Sequence, residues 1–111
     1  MTIQEHMYRK FREGGMTIAG ACSTLAQIQN ESAFRPDNAE DSKGISDAVY
    51  TKQVDSGERT RQQFMSDGVG YGYAQWTYPT RKGWMYDYHR SRGKSIADSD
   101  TQNGLYLKGG G

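Results

Sequence analysis

Glycine and capping residues cut this chain into short, helix-sized pieces, and that punctuation constrains the fold more than any other feature. Ile3, Met7 and Phe11 recur four residues apart, the spacing of one helix face, and Gly14-Gly15 stands where the stripe stops. Thr17 is an N-cap for a second helix carrying Ile18, Ala21, Cys22, Leu25 and Ile28 on one side. Its run of small residues, Ala19 to Ser23, lets neighbours approach closely, so this helix is expected to be central and the most buried, with Cys22 as a small buried hydrophobe. The stripe ends at Asn30-Glu31-Ser32, and Pro36 disfavours helix at Arg35. Ser46 and Gly57 bracket a short helix with Val49, Tyr50 and Val54 facing inward. Pro79 suits the first turn of a helix running to about Arg92, with Gly93 beyond it. Ser95 is a candidate cap for a last helix, which Gly104 weakens, and Gly109-Gly110-Gly111 is expected to fray.

Between these helices, residues 63–77 follow another period. Tyr71 and Tyr73 alternate with Gly70 and Gly72, and Asp67-Gly68 is a turn pair, which predicts a small β-hairpin or an irregular extended segment. The fold class is therefore α+β and mostly α. A chain of 111 residues allows one domain, 1–111, and no second core.

That core cannot be aliphatic. Leu, Ile, Val and Phe number 14 of 111, but the chain has 8 Tyr and 2 Trp and a net charge of only +1, so it does not carry the charge excess of a disordered segment. Aromatic rings with polar tips must supply the buried surface. The near-neutral charge argues against nucleic acid as a partner. No apolar run reaches the ~18–20 residues of a membrane span. The N-terminus lacks the apolar core and cleavage site of a signal peptide. One cysteine permits neither an internal disulfide nor a cysteine-based zinc site, and His6 and His89 lie too far apart in sequence to read as a metal pair, so no metal or other cofactor is expected. Arg81, Lys82, Arg90, Arg92 and Lys94 gather on or just after one helix. They read as a solvated face or as a docking face for an anionic polymer such as a teichoic acid.

Two features carry chemistry. Glu31 ends an apolar helix just past the edge of its stripe. A lobe folded over that end would half-bury the carboxyl, as a general acid requires; the alternative is an exposed glutamate at a frayed end. Gly70-Tyr71-Gly72 weakens a strand and so suggests close approach of backbone to backbone or to a ligand. With Tyr73, Gln75, Trp76 and Tyr78 it offers flat faces and hydrogen-bonding groups together, which suits a saccharide cleft; the alternative is an aromatic core turn.

Taken together, Ala19-Gly20-Ala21-Cys22, Gln29 to Asn38, Val54-Asp55-Ser56-Gly57 and Asp67 to Thr77 resemble the phage tail tip lysozyme family. More widely, Glu31-Ser32 and Gly70-Tyr71-Gly72-Tyr73-Ala74-Gln75 resemble the helix-end Glu-Ser and the Gly-aromatic-Gly-x-x-Gln segment of goose-type lysozymes and soluble lytic transglycosylases. The resemblance covers roughly residues 16–98. It implies a lysozyme-like fold with a central buried helix, a small β-hairpin lobe and a cleft between the two. It implies cleavage of the β-1,4 bond from N-acetylmuramic acid to N-acetylglucosamine in bacterial peptidoglycan, with Glu31 as general acid. For an inverting water attack, Asp67 is the first candidate base and Asp55 the second. Thr77 stands where some goose-type enzymes have a further Asp, and with Gln75 it is a candidate for holding a water. Ser32 either orients Glu31 or caps the next turn, and Ser32, Gly70, Tyr71, Gly72, Tyr73, Gln75, Trp76, Thr77 and Tyr78 are the expected substrate-binding residues. The resemblance further implies action from a virion tail or outside the cell, with other tail or cell-wall-hydrolase modules as partners and a monomer in isolation. Past Asp98 the chain departs from the family: Ser99 to Gly104 are polar where an apolar helix is usual, which puts the C-terminal packing in question. The competing readings are a lytic transglycosylase on the same fold, a non-catalytic glycan-binding module, and a structural plug of the tail tip.

Overall fold

A computed structural model describes residues 2–40 and 44–107; the glycines at 109–111 lie outside them. Six helices and two short strands follow in the order α1 (Ile3–Glu13), α2 (Ile18–Ser32), β1 (Ala39–Glu40), α3 (Asp47–Ser56), α4 (Arg61–Ser66), β2 (Gly70–Tyr71), α5 (Pro79–Arg92) and α6 (Ser99–Leu105). The α+β, mostly α class is as the sequence predicts. The caps are local and explicit. Thr2, Thr17 and Ser46 each accept a hydrogen bond from the third backbone N–H of α1, α2 and α3. Gly57 and Gly93 close α3 and α5 in the left-handed region.

Three expectations need correction. Residues 61–66 are helix, not the first arm of a hairpin. The Asp67-Gly68 pair links α4 to β2, and β2 pairs antiparallel with the distant β1, Ala39 opposite Tyr71 and Glu40 opposite Gly70. The tight turn lies later, where Tyr71 and Trp76 exchange backbone hydrogen bonds of 3.2 and 3.1 Å. Second, α2 is not the most buried helix. It buries Ala21, Ile28 and Ser32, whereas α5 buries Lys82, Gly83, Met85, Tyr86 and His89. Cys22 is exposed, because the small residues of α2 leave a narrow inward stripe. Third, Asp98 rather than Ser95 caps the last helix, its carboxylate accepting from the Thr101 N–H at 2.9 Å.

The core is built of rings. Tyr50 stacks on Tyr71 with centroids 5.5 Å apart, Phe64 meets the edge of Tyr71 at 6.2 Å, and Tyr86 lies 6.0 Å from Phe64. A second group joins Phe11, Tyr106 and Trp76, with Tyr106 5.7 Å from the first and 5.4 Å from the second. Burial raises the phenol pKa of Tyr50, Tyr71 and Tyr106 above the ordinary range, so all three stay neutral hydrogen-bonding groups at physiological pH.

In the polar stretch of α6, Gln102 packs because backbone groups satisfy its side chain. Gln102 is wholly buried. Its Oε1 accepts the Tyr73 N–H at 2.8 Å, and its Nε2 donates to the carbonyls of Pro36 at 2.6 Å and Ile96 at 2.9 Å. One side chain thus joins α6 to the loops after α2, after β2 and after α5. An apolar replacement would orphan one N–H and two carbonyls, and each buried orphan costs about 1–3 kcal/mol. Gln102→Leu is expected to lower the free energy of unfolding by about 3 kcal/mol or more; urea denaturation measures it, and a loss well under ~1 kcal/mol would deny Gln102 this role.

Candidate active site

The end of α2 sets the position of Glu31. Ile28 and Ser32 lie one turn apart on the inward face, and the buried Ser32 hydroxyl donates back to the Ile28 carbonyl at 3.1 Å. That bond directs the hydroxyl proton back into its own helix, and it is the Ser32 carbonyl, accepting the Arg35 N–H at 3.1 Å, that holds the turn that follows. Glu31, next around the helix, is exposed rather than half-buried. The chain then turns sharply, with Ala33 at φ 51° and Phe34 at φ 60°, two successive non-glycine residues in the left-handed region. Such conformations cost about 1–3 kcal/mol each and persist where surrounding structure enforces them. Among the described residues the Glu31 carboxylate has no hydrogen-bond or ion-pair partner. Its charge acts on Tyr106, whose phenol is pushed up first by burial and next by Glu31. Tyr106 in turn packs on Trp76, which connects the helix end to the glycine segment. Sequence reasoning missed Tyr106; its only local signal is an apolar triplet, Leu105-Tyr106-Leu107, in an otherwise polar tail.

The glycine segment is a tight backbone knot. Gly72 has φ +82°, and a Cβ there would lie 2.5 Å from Gln102 Oε1. At Gly70 a Cβ would lie 3.1 Å from Gln75 Oε1. Gln75, itself at φ 50°, donates through Nε2 to the carbonyls of Asn38 at 3.0 Å and Gly72 at 2.9 Å. The glycines therefore make room for two glutamine side chains, and Gln75 holds the turn rather than reaching outward. Tyr71 and Tyr73 are wholly buried and offer no ring face to a ligand; their hydroxyls bond Thr51 and Ser99. Trp76 is nearly buried. Thr77 and Tyr78 are exposed, Tyr78 to 77%. These two, with Ala74, Gln75, Trp76 and Arg81, line a cavity of about 240 Å³.

Neither candidate base has a free carboxylate. Asp67 forms an ion pair with the fully buried Lys82 ammonium, accepts from the Tyr50 hydroxyl at 2.5 Å and from the Val69 N–H at 3.0 Å, and lies 3.4 Å from Arg59. Lys82 also donates to the Val69 carbonyl at 2.9 Å. Burial holds the Lys82 ammonium below the usual lysine range, and the bond to Asp67 opposes that fall. Asp55 accepts from the Ser95 hydroxyl at 2.5 Å and the Ile96 N–H at 2.8 Å, tying α3 to the loop after α5. The basic cluster on α5 is likewise not one solvated face: Lys82 is internal, and Arg90 lies over the Tyr86 ring and donates to its hydroxyl at 2.9 Å.

An exposed helix-end glutamate whose charge acts on Tyr106, a ring packed in turn on Trp76 of the glycine segment, is the geometry on which the comparison with known proteins bears. The family model for phage tail lysozyme matches residues 2–110. The chain belongs to that family. No curated protein and no solved structure matches it. Membership makes this a lysozyme-like, peptidoglycan-acting protein, and among the described residues no helix is long and apolar enough to cross a membrane. In this chain, removing Lys82 leaves the Asp67 carboxylate largely buried beside Tyr50, where breaking one side of such a pair costs about 3–5 kcal/mol. Lys82→Met is expected to lose about that much, and adding Asp67→Leu to recover part of it. Strictly additive losses in chemical denaturation would show that the two groups are not coupled.

Proposed function

We propose that this phage tail lysozyme cuts peptidoglycan glycan strands at the β-1,4 bond between N-acetylmuramic acid and N-acetylglucosamine, with Glu31 as general acid. The observation that carries this reading is the state of Glu31: of the three candidate carboxylates it alone is without a partner among the described residues, and its charge acts on Tyr106, which packs on Trp76. The exposed carboxyl lacks the burial expected of a general acid in the free protein, and in this reading a glycan strand laid over the end of α2 supplies it. The protonated carboxyl then delivers a proton to the glycosidic oxygen as the bond to the muramic C1 breaks, positive charge develops on that sugar ring, and the proton of the oxygen that attacks C1 passes to the carboxylate so formed or to bulk water. In the hydrolytic course a water then attacks C1, and we assign its positioning to the exposed Thr77 beside the cavity. The family also suggests a virion tail as the site of action, with other tail modules as neighbours.

A second reading has a specific observation in its favour. Asp67 and Asp55 are both occupied by structural hydrogen bonds, which leaves water without an evident carboxylate base. A lytic transglycosylase needs none to activate water, because the muramic C6 hydroxyl attacks C1 internally and closes an anhydro ring. Digestion of purified peptidoglycan in heavy-oxygen water separates the two. Label at the new reducing end is the hydrolytic outcome, and unlabelled anhydro-sugars are the other. A binding module or a plug of the tail releases no saccharide at all.

Glu31→Gln is expected to cut release of soluble saccharide by about 10²–10⁴-fold, since the amide keeps the shape but cannot give up the proton. Melting temperature should stay close to that of the parent, because the carboxyl is exposed and unpaired. Retention of more than about a tenth of the activity would move the acid elsewhere.

A further inference from the structure

The exposed aromatics concentrate along one helix, from the cavity at residues 74–81 outward. Among the described residues the exposed rings are Tyr78, at the start of α5, and Trp84, 46% exposed at its middle. Tyr88, one turn further and half-buried, continues the line. Arg81 joins them. It lines the cavity at residues 74–81, and its guanidinium lies over the Trp84 ring with Cζ 5.5 Å from the centroid. Beyond Trp84 a second cavity, about 420 Å³, opens between α5 and α6, lined by Trp84, Asp87, Tyr88, Ser91 and Leu105. Gly104 shapes that cavity: a Cβ on it would meet the Tyr88 hydroxyl oxygen at 2.7 Å, so Tyr88 lies down against α6 only because that residue is glycine. Asp87 is held by Arg61 through two bonds of 2.9 and 3.0 Å, which fix a still exposed carboxylate at the cavity edge.

We propose that this face of α5 is a second saccharide-binding surface, which carries the glycan strand onward from the candidate cleft toward the α5–α6 cavity. This inference rests on the reading of the protein as a peptidoglycan-cleaving enzyme and names how that enzyme holds a long substrate. The chemistry suits a sugar polymer. The apolar faces of pyranose rings lie on Trp84 and Tyr88, and their hydroxyl rims meet the Asp87 carboxylate and the Ser91 hydroxyl. A partner protein or a second copy of the chain would use the same aromatics, but neither accounts for the continuity through Arg81 with the cavity at the cleft. From Tyr78 to Ser91 the ladder runs roughly 20 Å along the helix, so it contributes to long strands and not to short ones.

The test uses the full chain carrying Glu31→Gln, so that strands are bound and not cut. Glycan strands stripped of peptide by an amidase and sorted by length are titrated, and Kd is read for each length. Affinity in this parent is expected to rise about tenfold from strands too short to span the ladder to those that do. Adding Trp84→Ala should abolish that rise, and Trp84→Phe should keep most of it. A general folding defect would weaken short and long strands alike. The inference is overturned if the alanine variant keeps the length dependence, if the parent binds no strand of any length, or if Trp84→Ala instead splits an oligomer of the parent. The wild-type chain is assayed alongside for saccharide release. Absence of release with length-dependent binding intact defeats the cleavage reading and leaves the surface standing.

Discussion

The pairing of Asp67 with Lys82 organises the rest of the molecule. Its members come from the link between α4 and β2, from α5, and through Tyr50 and Arg59 from α3 and the segment after it. Arg59 also lies over the Tyr50 ring, 4.5 Å from its centroid, and Lys82 over that of Phe64 at 4.1 Å. One ammonium and one carboxylate thus set where three helices and the short sheet meet. Such a pair adds little compared with a well-packed apolar replacement, because both charges lose their hydration. What it supplies is directionality: bonds to Val69 on both its N–H and its carbonyl fix the backbone that enters β2. With so few aliphatic side chains to fill space, a directional contact at the centre is what selects one arrangement among several similar packings of rings.

This also explains why two residues read as catalytic from sequence serve the architecture. An Asp before a glycine-rich segment looks the same in a sequence whether its carboxylate faces a cleft or a buried lysine. The deciding partner, Lys82, is fifteen residues away on a helix whose charges read as a surface patch. Asp55 is similar, since its partners Ser95 and Ile96 arrive from the far end of the chain. The place of Glu31 at the end of α2 was legible because it depends only on that helix, whose cap and stripe are local; its exposure was not, because that depends on what packs over the helix end. Nor was its neighbour Tyr106, because that contact exists only after α6 returns to the other end of the molecule.

Helix ends were legible wherever side chain and glycine signals were local: α2 and α3 begin after Thr17 and Ser46, α5 begins at Pro79, and α1, α3 and α5 end at Gly14, Gly57 and Gly93. The missed helix, α4, also announced itself. Thr60 and Gln63 form a reciprocal capping box, the Thr-x-x-Gln pattern, which was overshadowed by the turn signal at Asp67-Gly68. The misplaced start of α6 has a different cause. Ser95 has the right chemistry for a cap, but Asp55 takes its hydroxyl, and Asp98 caps the helix instead.

The Gly70-Tyr71-Gly72-Tyr73-Ala74-Gln75 segment then acquires a physical meaning different from a sugar-binding wall. Its glycines leave space for Gln75 and Gln102, its tyrosines fill the core, and the glutamines satisfy backbone that a tight turn would otherwise orphan. In this chain, tyrosine is the ordinary material of the interior, with hydroxyls led to Thr51, Asp67 or Ser99. An aromatic ring left in water is therefore the exception that requires a reason. Folding a small core already short of apolar surface would favour drawing every ring inward. Tyr78 and Trp84 stay outside, on a helix whose opposite face is packed, and they border cavities whose walls also carry Thr77, Arg81, Asp87 and Ser91. That combination of flat apolar faces and fixed polar edges separates a surface for sugars from one that is merely left over.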